Sequence, residues 1–221
     1  MTVATSTPKA SLGSRAFGQA QKLGKSLMLP VSVLPVAGIL LGVGGALLNG
    51  AKQNNWNLPA PVTVFFEIMQ NSGDPIFAAL PLLFAIGVAL GLTKNDGVSA
   101  LAATVGYLVL NGTMNVMGKT MGLSVKDKTM STILGMDTIN TGVFGGIIVG
   151  LIAGGLFNKY FRISLPPYLG FFAGKRFVPI VTAFAAIAAG IVLSFIWPPI
   201  QGVIRNFGEW ATTSNPLIAT W

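Results

Sequence analysis

Between Lys25 and Lys52 the chain carries no charged side chain, and residues 27–48 within that gap are predominantly apolar. At about 1.5 Å of rise per residue, a helix of that length covers the roughly 30 Å hydrocarbon core of a bilayer. Pro30 and Pro35 interrupt the run, and Gly38, Gly42, Gly44 and Gly45 follow. Such content breaks a helix in water. In lipid it is tolerated where neighbouring helices shelter the freed backbone carbonyls. The segment reads as a membrane span built to pack against other spans.

Composition agrees. Hydrophobic residues make up 52% of the 221 residues and charged residues only 9%, the balance of a chain held largely in lipid. Cysteine and histidine are both absent. Disulfides, thiolate or imidazole metal ligands, cysteine nucleophiles and the commonest general base are thereby excluded. No metal, cofactor or catalytic residue is expected. A net charge of +8 would suit nucleic acid. The basic residues alternate by loop, however, so membrane lipid and not nucleic acid is the expected partner.

Residues 1–10 are polar and read as a disordered tail. Leu12, Ala16, Ala20, Leu23 and Leu27 then recur at helical spacing, with Arg15, Lys22 and Lys25 opposite. Residues 11–26 are read as a basic amphipathic helix on the membrane surface, a plain charged flank being the alternative. Spans at 27–48, 75–93, 98–117, 138–157 and 177–200 make a five-span unit over 27–200. Asn111, Thr113 and Asn115 make the third polar on one side, as suits a bundle interior or water. Only residues 94–97 separate the second and third spans, which requires a tight antiparallel hairpin. Residues 201–221 read as a C-terminal amphipathic segment, with Asn215 and Pro216 capping the start of a cut-off sixth span. The fold class is all-α membrane protein, with about five transmembrane helices and an amphipathic helix at each end.

Nine basic residues (Lys9, Arg15, Lys22, Lys25, Lys94, Lys159, Arg162, Lys175 and Arg176) fall on one side of this arrangement and the remaining five on the other. By the positive-inside rule the first side, with the N-terminus, is cytoplasmic. The expected location is the bacterial inner membrane.

Three motifs stand out. Gly142, Gly146, Gly150 and Gly154 repeat every four residues along one helix face, allowing close backbone approach. A subunit interface and packing within one chain both fit that stripe. Asp96-Gly97 in the hairpin is a turn signal, and Asp96 can cap the third span; ligand contact is the alternative. The loop LPPYLGFFAGKRFVPI, residues 165–180, sets Lys175 and Arg176 after prolines and aromatics. Both can be topology anchors; the surrounding residues suggest an ordered loop packed on the inner face, with a docking or gating surface as the second reading. Lys25, Asp96, Lys175 and Arg176 are the candidate inner-face residues. GVGG at 42–45 lacks the following Lys-Ser/Thr of a phosphate loop.

GKSLMLPVSVLPVAGILLGVG, FAIGVALGLTKNDGVSALAA, TGVFGGIIVG and LPPYLGFFAGKRFVPI, in that order, resemble enzyme IIC of bacterial phosphotransferase-system sugar permeases, the glucose/N-acetylglucosamine branch. The resemblance runs from about Ala20 to the end of the chain. It implies a homodimeric permease of about ten spans, the first five forming the scaffold. The permease moves a glucose-type sugar inward while a phosphorylated IIB domain, charged by IIA, phosphorylates it. The family's principal sugar-binding residues are a histidine and a glutamate in the second half, so none carries over here. The expectation is the scaffold and dimerisation half of such a permease, without phosphotransfer activity alone, pairing with a full-length or second-half permease. The alternatives are a non-catalytic truncated subunit or an inactive gene fragment.

Overall fold

Proline decides where the first part of the chain bends. The computed structural model describes residues 12–125 and 129–214. Helix α1 (Leu12–Val31) and helix α2 (Leu34–Gln53) are separated only at Ser32 and Val33. Pro35 stands in the first turn of α2 and offers no amide to the preceding turn. Helix α3 (Ala60–Ala78) and helix α4 (Leu80–Leu92) meet at Ala79 with a 54° bend. There Pro81 occupies the first turn of α4 and Pro75 the last turn of α3.

These four helices form one antiparallel hairpin, with α1 against α4 and α2 against α3. The two breaks lie opposite each other. Water is not being squeezed out between membrane helices, so their association depends on close approach and on satisfied polar groups. Glycines provide the approach. A Cβ at Gly44 would stand 2.7 Å from the Phe66 carbonyl oxygen, and one at Gly73 2.6 Å from the Leu41 amide nitrogen. Near the other end, Gly87 and Gly91 admit Pro30 and Ser26 of α1 in the same manner.

Helix α5 (Gly97–Thr120), helix α6 (Gly142–Tyr160) and helix α7 (Phe177–Ser214) complete the bundle with α4. The closest pairings are α4 with α6 and α5 with α7. Their core holds Ala85, Ala89, Tyr107, Leu110, Met114, Val149, Ala153 and Val178. Strands β1 (Ser131–Ile133) and β2 (Met136–Thr138) form a small hairpin before α6, turning at Leu134 and Gly135. The Trp197 indole N–H donates to the Asn140 carbonyl at 2.8 Å and ties α7 to that end.

Among the described residues four helical stretches are long and apolar enough to cross a membrane, and the number rises to five when the bent α3–α4 pair is taken as one span. The all-α membrane class therefore stands. Several boundaries move. The first span is part of a helical stretch from Gln21 to Gln53, and α1 passes unbroken through the boundary expected at 26/27. The second span does not start at residue 75. Helix α3 occupies what was read as connection, and α4 alone, at 13 residues, is too short to cross. The fourth starts at Gly142, since 131–138 is the hairpin. Helix α7 continues through Pro198 and Pro199 to Ser214, where a separate segment was expected. Its 38 residues, about 57 Å at 1.5 Å each, exceed the hydrocarbon core. The expected tail over 1–10 and the helix start at Asn215 lie outside the described residues.

Candidate functional site

The end of the bundle where α4 turns into α5 gathers most of the candidate residues. Residues 93–96 make the reversal, with Lys94 and Asn95 both in the left-handed region at φ 55° and 62°. Thr93 is buried; its hydroxyl donates to the Ala89 carbonyl at 2.8 Å and lies 2.6 Å from the Ser99 hydroxyl. Asp96 is the N-cap of α5, one carboxylate oxygen accepting from the Val98 amide at 3.0 Å.

The other carboxylate oxygen accepts from Lys175, 79 positions away in sequence. Lys175 belongs to a short 3-10 turn, Gly174–Arg176, directly before α7. The preceding loop closes on itself where the Gly174 amide donates to the Ile163 carbonyl at 2.9 Å, with Gly174 at φ 69°. Lys175 also sits 6.0 Å from the centroid of Phe157 near the end of α6. Beside it the Asn158 amide donates to the Leu92 carbonyl at 3.1 Å, satisfying one of the orphan acceptors that end α4. The loop, α4, α5 and α6 are thus fastened together at one corner.

The hydrogen bond from Lys175 holds the Asp96 carboxyl below its ordinary value of 3.8, and the Val98 amide and the lysine's charge add to this against the opposing effect of partial burial. The carboxylate is ionised at any physiological pH. It is not available as a proton donor.

Around the pair lies a cleft of about 710 Å³, lined by Lys22, Lys94, Arg162 and Lys175, with Asp96 as its one carboxylate and with Phe157 and Phe161 as apolar wall. A neighbouring hollow of about 260 Å³ shares Lys22 and Lys94 and adds Lys25, Leu29 and Leu90. Of the four inner-face candidates, Asp96 and Lys175 are therefore in direct contact, and Lys25 lines the adjoining hollow. Arg176 turns away. Its guanidinium donates to the Phe171 carbonyl at 3.3 Å and lies 5.0 Å from that ring. Tyr168 and Phe171 of this loop are exposed. Sequence reasoning counted Lys94 and Arg162 only toward topology, and Lys22 toward topology and the basic face of the first helix. Their shared cleft has no signal in the linear order.

The glycine stripe is elsewhere, in the middle of α6 and against α4 of the same chain. A Cβ at Gly146 would stand 1.9 Å from the Pro81 carbonyl oxygen, one at Gly150 2.6 Å from that of Ala85, and one at Gly154 2.9 Å from the Leu92 side chain. Gly142 opens the helix at φ 54° with open space at its Cβ position. In α5, Asn111 is buried and donates to the Tyr107 carbonyl at 2.9 Å, while Thr113 bonds back to Val109 and Asn115 to Asp137. Among the described residues no group of three or more acidic side chains is placed to hold a metal.

Residues 24–221 match the family described as Phosphotransferase system, EIIC. The chain is also 45% identical, over 227 aligned positions, to the PTS system glucoside-specific EIICBA component of Staphylococcus carnosus (strain TM300). That alignment covers 96% of this chain and 33% of the relative, so the chain spans about a third of the relative's length. With its bundle of apolar helices and a match over nearly all of its sequence, this multi-pass membrane protein belongs to the phosphotransferase-system EIIC family.

Proposed function

We propose that this chain supplies the scaffold half of a glucoside-type sugar permease, through which sugar moves inward as a phosphorylated partner domain transfers its phosphoryl group to a sugar hydroxyl. One observation carries the reading: the EIIC match extends from residue 24 to 221 in a sequence without histidine or cysteine. These residues supply membrane-subunit sequence, and no histidine or cysteine that could carry phosphate lies among them. The relative's name joins C, B and A components in one chain, which supports IIB and IIA domains as the partners. The N-terminus and the basic end are assigned to the cytoplasm, where those domains work. A homodimer, or pairing with a second-half or full-length permease, completes the transporter.

The test uses membranes holding this chain as the sole permease component, with phosphoenolpyruvate, the soluble phosphocarriers and a glucoside. No sugar phosphate forms from the chain alone. Adding the segment that corresponds to the remainder of the relative's EIIC region, in trans or fused after Trp221, restores phosphorylation and uptake. Robust phosphorylation by the chain alone overturns the assignment.

A further inference from the structure

We infer that the basic cleft between α1, the α4–α5 turn and the end of α6 is a binding site for the anionic headgroup of a membrane phospholipid. The charge count comes first. Lys22, Lys25, Lys94, Arg162 and Lys175 line the cleft and its adjoining hollow, and Asp96 is the one carboxylate among the lining residues. That carboxylate is already engaged by Lys175 and by the Val98 amide. Four cations are left around a concave surface with apolar walls, and like charges gathered there repel one another. An anion entering the cleft relieves that repulsion, and Arg162 offers a planar fork suited to a phosphate diester.

The walls select the kind of anion. Leu29 and Leu90 line the hollow beneath Lys25, and Phe157 and Phe161 line the larger cleft. A small free oxyanion has no use for them. A phospholipid sets its phosphate among the cations and its glycerol and first methylenes on those side chains. The position agrees, because the cleft lies at helix ends, where spans leave the hydrocarbon, and basic pockets between spans are a recurrent form of anionic-lipid site. The inference rests on the membrane reading but not on which end is cytoplasmic.

The full chain, purified in neutral detergent, is mixed with phosphatidylglycerol or phosphatidylcholine of matched acyl chains, and bound lipid is counted by native mass spectrometry. Phosphatidylglycerol is retained in preference. Lys22→Gln and Lys94→Gln each weaken that retention about fivefold, the weight of one basic residue toward an anionic lipid. Lys22→Arg and Lys94→Arg keep it, as do Lys52→Gln and Lys119→Gln at the other end. Melting temperatures in detergent are compared, and Arg162→Gln replaces any glutamine variant that unfolds. Equal retention of the two lipids overturns the inference, as does an undiminished preference in every glutamine variant. Inorganic phosphate that displaces all bound lipid would mark a free-oxyanion site instead. Protection of the cleft lysines by a phosphorylated soluble domain alone, without lipid preference, would assign the cleft to protein docking. Detergent micelles have no sidedness, so a reversed topology would leave these results unchanged.

Discussion

Asp96 serves two partners at once, and the two can be separated by substitution. Asparagine keeps the N-cap but gives up the charge, whereas alanine loses both. Lys175 is about half exposed, its side chain at 53%, so the ion pair is worth no more than about 1 kcal/mol. Losing the cap adds about 0.5–2 kcal/mol. Asp96→Ala is therefore expected to destabilise more than Asp96→Asn, read as detergent melting temperatures. The pH dependence has a definite sign. A carboxylate with a lowered native pKa contributes stability that is fully present above its unfolded value and disappears as pH falls through the native one. The difference between wild type and Asp96→Asn should hold from pH 7 to pH 5 and shrink below 3.8. A difference that grows on acidification would contradict the assignment. The cap was legible in the sequence, because an aspartate before a glycine and an apolar run is a local signal. The bond to Lys175 was not, since 79 residues lie between the partners and nothing local encodes their meeting.

At the scale of elements, the α4–α6 contact sets backbone closely against backbone and makes the sharpest prediction. Gly146→Ala sets a methyl group against the Pro81 carbonyl, 1.9 Å from where its oxygen stands, so one backbone must move. Overpacking costs about 1–3 kcal/mol even where side chains can adjust, and here they cannot. Folded yield and melting temperature should both drop. Gly155→Ala, on the same helix with open space at its Cβ position, should be neutral or stabilise by up to about 1 kcal/mol. Equal behaviour of the two variants would refute the close approach. The repeat of four in the sequence identified the face but not what it meets. Helix α3 escaped a hydropathy reading altogether. Glu67, Gln70, Asn71 and Asp74 dilute its apolar character, although Pro61 in its first turn and the Phe65-Phe66 pair were available as signals. The 131–138 hairpin was hidden because threonine and isoleucine serve strand and membrane helix alike.

For the whole molecule, the topology can be read with reporters at positions the structure places at opposite ends. A fusion after Lys175 should report from the cytoplasm and one after Gly122 from the other side. Reversal of both would overturn the orientation; both on one side would overturn the path of α5, α6 and α7. The helices α5, α6 and α7 were legible because their apolar runs are long. The way the crossings are divided was not, because prolines at 35, 75 and 81 can end, bend or merely decorate a membrane helix depending on neighbours.

The opposed breaks at residues 32–33 and 79 have a mechanical meaning. On one side of them α4 is wedged into the bundle between α1, α5 and α6; on the other, α2 and α3 are packed chiefly on each other. Pro81, two residues past the bend, is pressed against Gly146 and supplies a fixed fulcrum. The paired α2 and α3 then form a lever. Helix α3 has 19 residues, about 28 Å of arm, so a tilt of about 10° would carry the Trp56 turn through about 5 Å. The basic cleft, on the short side of the pivot, would hardly stir.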